Sequence, residues 1–98
     1  DEIIPVNVVF YSTLQKIAQQ KQANLTIESG TSLQEVLTTI QQDYFLPNNG
    51  RILKANNEDL DVGMICLVDD VDFNLVGGMR YVVMKPTTIT LISSLHGG

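Results

Sequence analysis

The residues best placed for chemistry close the chain: Gly97 and Gly98, ending in a free α-carboxylate, with Leu95 and His96 just before them. Glycine has no Cβ and permits every φ/ψ that a close approach requires. A carboxylate on such a stalk can enter a narrow channel beside a nucleotide or an enzyme surface. The expected chemistry is thus performed on the chain's own terminus. The plain alternative is a polar end that frays and does nothing. His96 has no carboxylate neighbour to orient it, so recognition or solvation fits it better than acid–base work. Leu95 and Ile92, apolar and close to that end, are candidates for a partner contact, unless Ile92 is simply core.

The rest of the chain offers no catalytic set. His96 is its one histidine, Asp69, Asp70 and Asp72 lie together in a turn without a partner base, and Cys66 is its one cysteine. That count excludes an intrachain disulfide and a multi-cysteine zinc site. Within Met-Ile-Cys-Leu-Val, Cys66 reads as a small buried hydrophobe rather than a reactive thiol. The internal pair Gly77-Gly78 lacks the Lys-Ser/Thr of a phosphate-binding loop and reads as a turn with positive φ. No catalytic residue, metal site or bound cofactor is expected of the domain itself.

Such a terminus must be held by a domain. With 98 residues there is room for one, which buries about 60 to 65% of its unfolded surface. A hydrophobic content of 44% and a charged content of 17% fit a globular chain. The net charge of −5 disfavours direct binding to nucleic acid, whose affinity is built on Lys and Arg. Lys16, Lys21, Arg51, Lys54, Arg80 and Lys85 are scattered, whereas Glu58, Asp59, Asp61, Asp69, Asp70 and Asp72 gather in one stretch. That stretch is either an attraction for a basic partner or a solvated acidic loop and turn. No run approaches the ~18 apolar residues of a membrane span, and no leader opens the chain. A cytoplasmic monomer is expected.

The pattern predicts a strand over residues 6–11, a short helix within 12–22, and a second strand over 23–28, where Ala23, Leu25 and Ile27 share one face. Over residues 30–44 it predicts the main helix. Ser32 and Glu35 form a capping box there, and Leu33, Val36, Leu37 and Ile40 form one apolar stripe. Residues 51–61 read as a connection with a short strand near Ile52 and Leu53. Residues 64–68 suit a central strand covered on both sides, with Leu67 in the core. Asp69-Asp70 makes a hairpin turn into residues 71–75, where Val71, Phe73 and Leu75 share a face. After an apolar piece at 81–84 and a turn at Pro86, residues 89–92 form the last strand. This order implies an α+β fold of the β-grasp, or ubiquitin-like, kind, with a mixed sheet, one main helix packed across it and the last strand central. Residues 1–94 form the domain and residues 95–98 a flexible tail.

The ending Leu-His-Gly-Gly after Ile-Ser-Ser resembles the carboxyl terminus of the ubiquitin-related modifier (Urm) family, eukaryotic proteins that join sulfur carriage to protein conjugation. The segment from Val62 to Gly77 also resembles that family, with its Gly, apolar run, Asp-Asp-x-Asp, aromatic and x-Leu-x-Gly. The resemblance covers about the last two-fifths of the chain. It implies that Gly98 is the modified residue, and that Gly97, His96 and Leu95 are gripped by a ubiquitin-activating-like enzyme. That enzyme, which carries a rhodanese domain, uses ATP to adenylate Gly98. A persulfide then converts it to a thiocarboxylate, whose sulfur goes to the wobble uridine of tRNA through a tRNA-thiolation complex. The activated terminus is also joined to lysines of target proteins. Residues 8–18 look more like the small subunit of molybdopterin synthase, which makes that carrier type one alternative. A ubiquitin-fold interaction module with an idle tail is the other.

Overall fold

The computed structural model describes residues 2–94. Five strands form one mixed sheet in the order β2-β1-β7-β4-β5: β1 (Ile3–Phe10), β2 (Gln22–Glu28), β4 (Met64–Val68), β5 (Val71–Asp72) and β7 (Thr87–Ser93). The last strand is central, as expected. It runs parallel to β1, from Val6 beside Thr87 to Phe10 beside Leu91, and antiparallel to β4, from Val68 opposite Ile89 to Met64 opposite Ser93. A second sheet is made of two short strands, β3 (Thr31–Ser32) and β6 (Val82–Val83).

The helices are α1 (Thr13–Ala18) and α2 (Leu33–Ile40). Ser32 caps α2 by accepting from the Glu35 N–H at 3.2 Å, as the capping box predicts. Leu33, Val36, Leu37 and Ile40 are all buried. They meet Ile4, Val6, Val8 and Phe10 of β1 and Ile89 and Leu91 of β7 in one core. Beyond Ile40 the helix widens into a π-helical turn (Gln41–Phe45) and a 3-10 turn (Leu46–Asn48). Phe45 is thereby set edge-on to Phe10, with ring centroids 5.5 Å apart.

Gln41 faces inward with that turn and ties down the connection that follows. Its Oε1 accepts from the Ile52 N–H at 2.9 Å and the Leu53 N–H at 2.8 Å. Ile52 and Leu53 are fully buried, so their amides have no access to water. The expected short strand at this place reduces to a single bridge between Leu53 and Leu60.

Two expectations are corrected. Leu67 is not core. Only one face of the large sheet is covered, so Cys66 and Val68 point into the core while Leu67, paired with Thr90 and Asp72, lies on the open face. Residues 71–75 are not a strand beyond Asp72. Asp69 and Asp70 do make the two-residue hairpin, both with positive φ. The Asp72 carboxylate then accepts from the Asn74 N–H at 2.8 Å and starts a 3-10 turn (Phe73–Val76). Phe73 is buried, but Val71 is 42% and Leu75 80% exposed. Gly77 and Gly78 follow with positive φ, as expected of a turn. Among the described residues no helix is long and apolar enough to cross a membrane.

Two predictions follow from this packing. Gln41→Ala strands two buried N–H groups at about 1–3 kcal/mol each. It should lower unfolding free energy in urea by about 2–5 kcal/mol, whereas Gln34→Ala, which loses one part-buried bond to the Asn57 carbonyl, should cost about 1 kcal/mol or less. Burial, with the Asp72 carboxylate adding to it, pushes the Cys66 thiol up from 9.0 to about 12. The folded protein should therefore resist a thiol-specific disulfide reagent at neutral pH and react once unfolded. Because the folded pKa is raised, the stability this group contributes is full below pH 9.0 and is lost as pH climbs toward about 12. Cys66→Ala should remove that part of the alkaline slope.

Candidate functional site at the end of the central strand

β7 delivers the chain to one edge of the domain, between the end of β1 and the start of β4. The Tyr11 N–H donates to the Leu91 carbonyl at 3.1 Å on one side. On the other, the ladder ends with Met64 opposite Ser93. One residue further, the Ser94 N–H at 2.7 Å and the Ser94 Oγ at 2.8 Å both donate to the Gly63 carbonyl. Gly63 has φ +80°, open to glycine and strained for other residues. Its turn is closed by Asp61, whose carbonyl accepts from the Met64 N–H at 3.1 Å and whose carboxylate accepts from the Val62 N–H at 2.9 Å. The segment holding Leu95, His96, Gly97 and Gly98 lies outside the described residues.

Of the predicted site residues the structure describes Ile92, and it places it on the open face rather than in the core. Ile65 lies directly opposite on β4, and both are partly buried. One step inward, Thr90 stands between Val9 and Leu67 and is only 7% exposed although it faces away from the helices. Val9, Leu67, Ile65 and Ile92 thus make an apolar strip leading to the end of β7. At the same edge Tyr11 is 50% and Val62 67% exposed. Ser12, next to Tyr11, holds a strained backbone with φ 53° and ψ −126°. Sequence reasoning missed Ile65 and Leu67 because they sit in an unbroken apolar run, which looks the same for a strand covered on one face or on two. It missed Gly63 and Ser94 because their contact spans 31 positions.

The acidic stretch works largely as turn chemistry. Asp61 and Asp72 cap their own turns, and the Asp69 carboxylate accepts from the Thr88 N–H at 2.9 Å. A shallow depression lined by Pro5, Asn7, Asn24, Asp69, Pro86, Thr87 and Thr88 lies at the opposite end of the sheet from Ser94. Its titratable side chain is Asp69, already committed to Thr88. Among the described residues no cluster of three His, Cys, Asp or Glu could hold a metal ion.

Comparison with known proteins agrees with this architecture. The nematode Caenorhabditis elegans has a ubiquitin-related modifier 1 homolog that is 30% identical over 98 residues, covering 97% of this chain and 97% of that protein. Urm1 from Trypanosoma brucei, solved in solution, is 28% identical and superposes with a TM-score of 0.78 over 100% of this chain and 99% of that one. A Pyrococcus furiosus protein assigned as molybdopterin converting factor subunit 1 shares the fold, with a TM-score of 0.72 over 94% of this chain and 99% of that one, at 8% identity. The family model for Urm1, ubiquitin related modifier, matches residues 5–98 and so runs through the final Gly97-Gly98. With its β-grasp sheet and a match reaching the terminal glycine, the chain belongs to the ubiquitin-related modifier family.

Proposed function

We propose that this ubiquitin-like modifier is a sulfur carrier whose reactive group is the Gly98 carboxylate. The observation that carries the reading is the family match through Gly98, joined to a strand that ends in an anchored residue four positions before it. An activating enzyme of the ubiquitin-activating type, with ATP, lets the carboxylate oxygen attack the α-phosphorus, and pyrophosphate leaves. The acyl-adenylate has a good leaving group in AMP. A persulfide on a rhodanese-type domain attacks the carbonyl carbon and expels AMP, forming an acyl disulfide. A second thiol takes the enzyme-side sulfur, and the thiocarboxylate is released on Gly98.

Two fates follow for the activated terminus. The sulfur passes to the wobble uridine of tRNA held by a tRNA-thiolation complex, since the net charge of −5 gives this chain little hold on phosphate. A lysine amine of a target protein instead attacks the carbonyl of the acyl-adenylate, AMP leaves, and after loss of the amine proton an isopeptide bond remains. The domain is the carried substrate and lends no catalytic side chain. Gly97, His96 and Leu95 are gripped in the channel. Ile92, with Ile65 and Leu67, meets the activating enzyme through the open face. The chain acts in the cytoplasm as a monomer.

Removal of Gly98 alone should abolish ATP–pyrophosphate exchange by the activating enzyme and thiocarboxylate formation by intact mass. It should leave the melting temperature nearly unchanged, because a terminus buries little. Full activity without Gly98 would turn the reading to a ubiquitin-fold interaction module. Ile92→Ala should raise the KM of the activating enzyme for this protein about five- to thirtyfold, the range for an apolar contact of about 1–2 kcal/mol. An unchanged KM would remove Ile92 from the interface.

A further inference from the structure

A chain of hydrogen bonds runs from inside the domain to the end of β7. It starts at the buried Gln41, whose Oε1 holds the amides of Ile52 and Leu53. The Ile52 carbonyl accepts from the Asp61 N–H at 2.8 Å. Asp61 closes the turn that presents Gly63, and the Gly63 carbonyl takes both the N–H and the hydroxyl of Ser94. The links from Gln41 to Ile52 and Leu53 and from Gly63 to Ser94 span 11, 12 and 31 positions, those at Asp61 close its own turn, and none is needed to complete the sheet. The β4–β7 ladder is already finished at Met64 and Ser93. The double bond to Ser94 does one further thing: it fixes the backbone one residue past the ladder.

We infer that Ser94 and Gly63 are positioning residues for the chemistry at Gly98, a clamp that sets where and in which direction the last four residues leave the domain. The inference rests on the proposed function and deepens it. Four residues from Ser94 span at most about 14 Å. When the domain is docked on an enzyme, the chance that the carboxylate meets the α-phosphorus depends on the volume the terminus explores. Freeing the root lengthens the searching segment and releases its direction. The length effect is small, under about twofold for one or two extra residues. The direction effect is larger, because a misplacement of about 1 Å at a reacting centre can cost up to about a hundredfold. Both bonds of the clamp are made inside the domain, between Ser94 and the Gly63 carbonyl, and neither involves the apolar strip, so its loss falls on turnover of the docked complex and not on docking.

The test uses the full-length protein with its purified activating enzyme, comparing wild type, Ser94→Ala, Ser94→Thr and Gly63→Ala. Ser94→Ala removes one bond to the Gly63 carbonyl. Gly63→Ala disfavours the positive φ that aims that carbonyl, and so weakens both. In ATP–pyrophosphate exchange, kcat should fall about three- to tenfold in Ser94→Ala, at least as far in Gly63→Ala, and return with Ser94→Thr. The KM for the carrier should hold within about twofold, and the melting temperature of Ser94→Ala should match wild type. The Ser94 amide should be protected from hydrogen exchange in the isolated wild-type protein. Unchanged kcat in both alanine variants overturns the inference, and so does an unprotected Ser94 amide. A loss confined to KM overturns it as well, since that would make Ser94 a docking residue. Absence of exchange with the wild type would instead overturn the proposed function, and the positioning role with it.

Discussion

The structure depends on the double pairing of β7. This one strand closes the parallel ladder with β1 and the antiparallel ladder with β4, and it sends Ile89 and Leu91 into the core beneath α2. A central strand is the hardest place in a sheet to fray, because its backbone groups are satisfied on both sides. Using the end of the chain for that strand brings a terminus, usually the loosest part of a domain, to the edge of its stiffest part. The order of the chain up to Ser94 is therefore a consequence of one topological choice.

The open face follows from the same choice. The two helices cover one side of the sheet, with Leu14 and Ala18 of α1 and the stripe of α2 in the same core, and the other side is left open. Along β4 the alternation that buries Cys66 and Val68 must then turn Ile65 and Leu67 to the open face, where they are partly buried, and along β7 it must turn Ile92 the same way. Apolar residues at those positions are only partly buried. Their clustering beside the end of β7 supports the proposed contact with the activating enzyme. The same alternation places Cys66 out of reach. Under the proposed function, in which the terminus would become an acyl-adenylate and then a thiocarboxylate, an accessible thiol on the domain would compete as a nucleophile. Burial keeps this one protonated and enclosed.

What could be read from the sequence was what is local. The cap at Ser32, the stripe on α2 and the Asp69-Asp70 hairpin each depend on residues within a few positions, and each is present. The fold class was legible because those pieces, in that order, have few ways to pack. The errors at Leu67 and at residues 71–75 share a cause. Hydrophobic alternation reports a strand's period but not how many faces are covered, and an Asx cap at Asp72 outcompetes the strand with one hydrogen bond. Gln41 gave no signal, since a glutamine at the end of an apolar stripe reads as solvent-facing until the amides of Ile52 and Leu53 are seen beneath it. Of the candidate site, the glycine end was plain in the sequence, while the anchor that precedes it was not.

The anchor constrains any enzyme that acts on Gly98. Under the proposed function, with Ser94 fixed and the four residues from Ser94 to Gly98 spanning at most about 14 Å, the α-phosphorus would come within that distance of the edge formed by Tyr11, Gly63 and Ser94. An enzyme wall that close must also accommodate the exposed side chains of Tyr11 and Val62 and the strip that runs from Ile92 to Leu67. Docking and delivery are thus geometrically coupled. A partner that recognised only the far end of the sheet, near the Asp69-Asp70 hairpin, would hold the domain by the end that the short segment after Ser94 does not leave from.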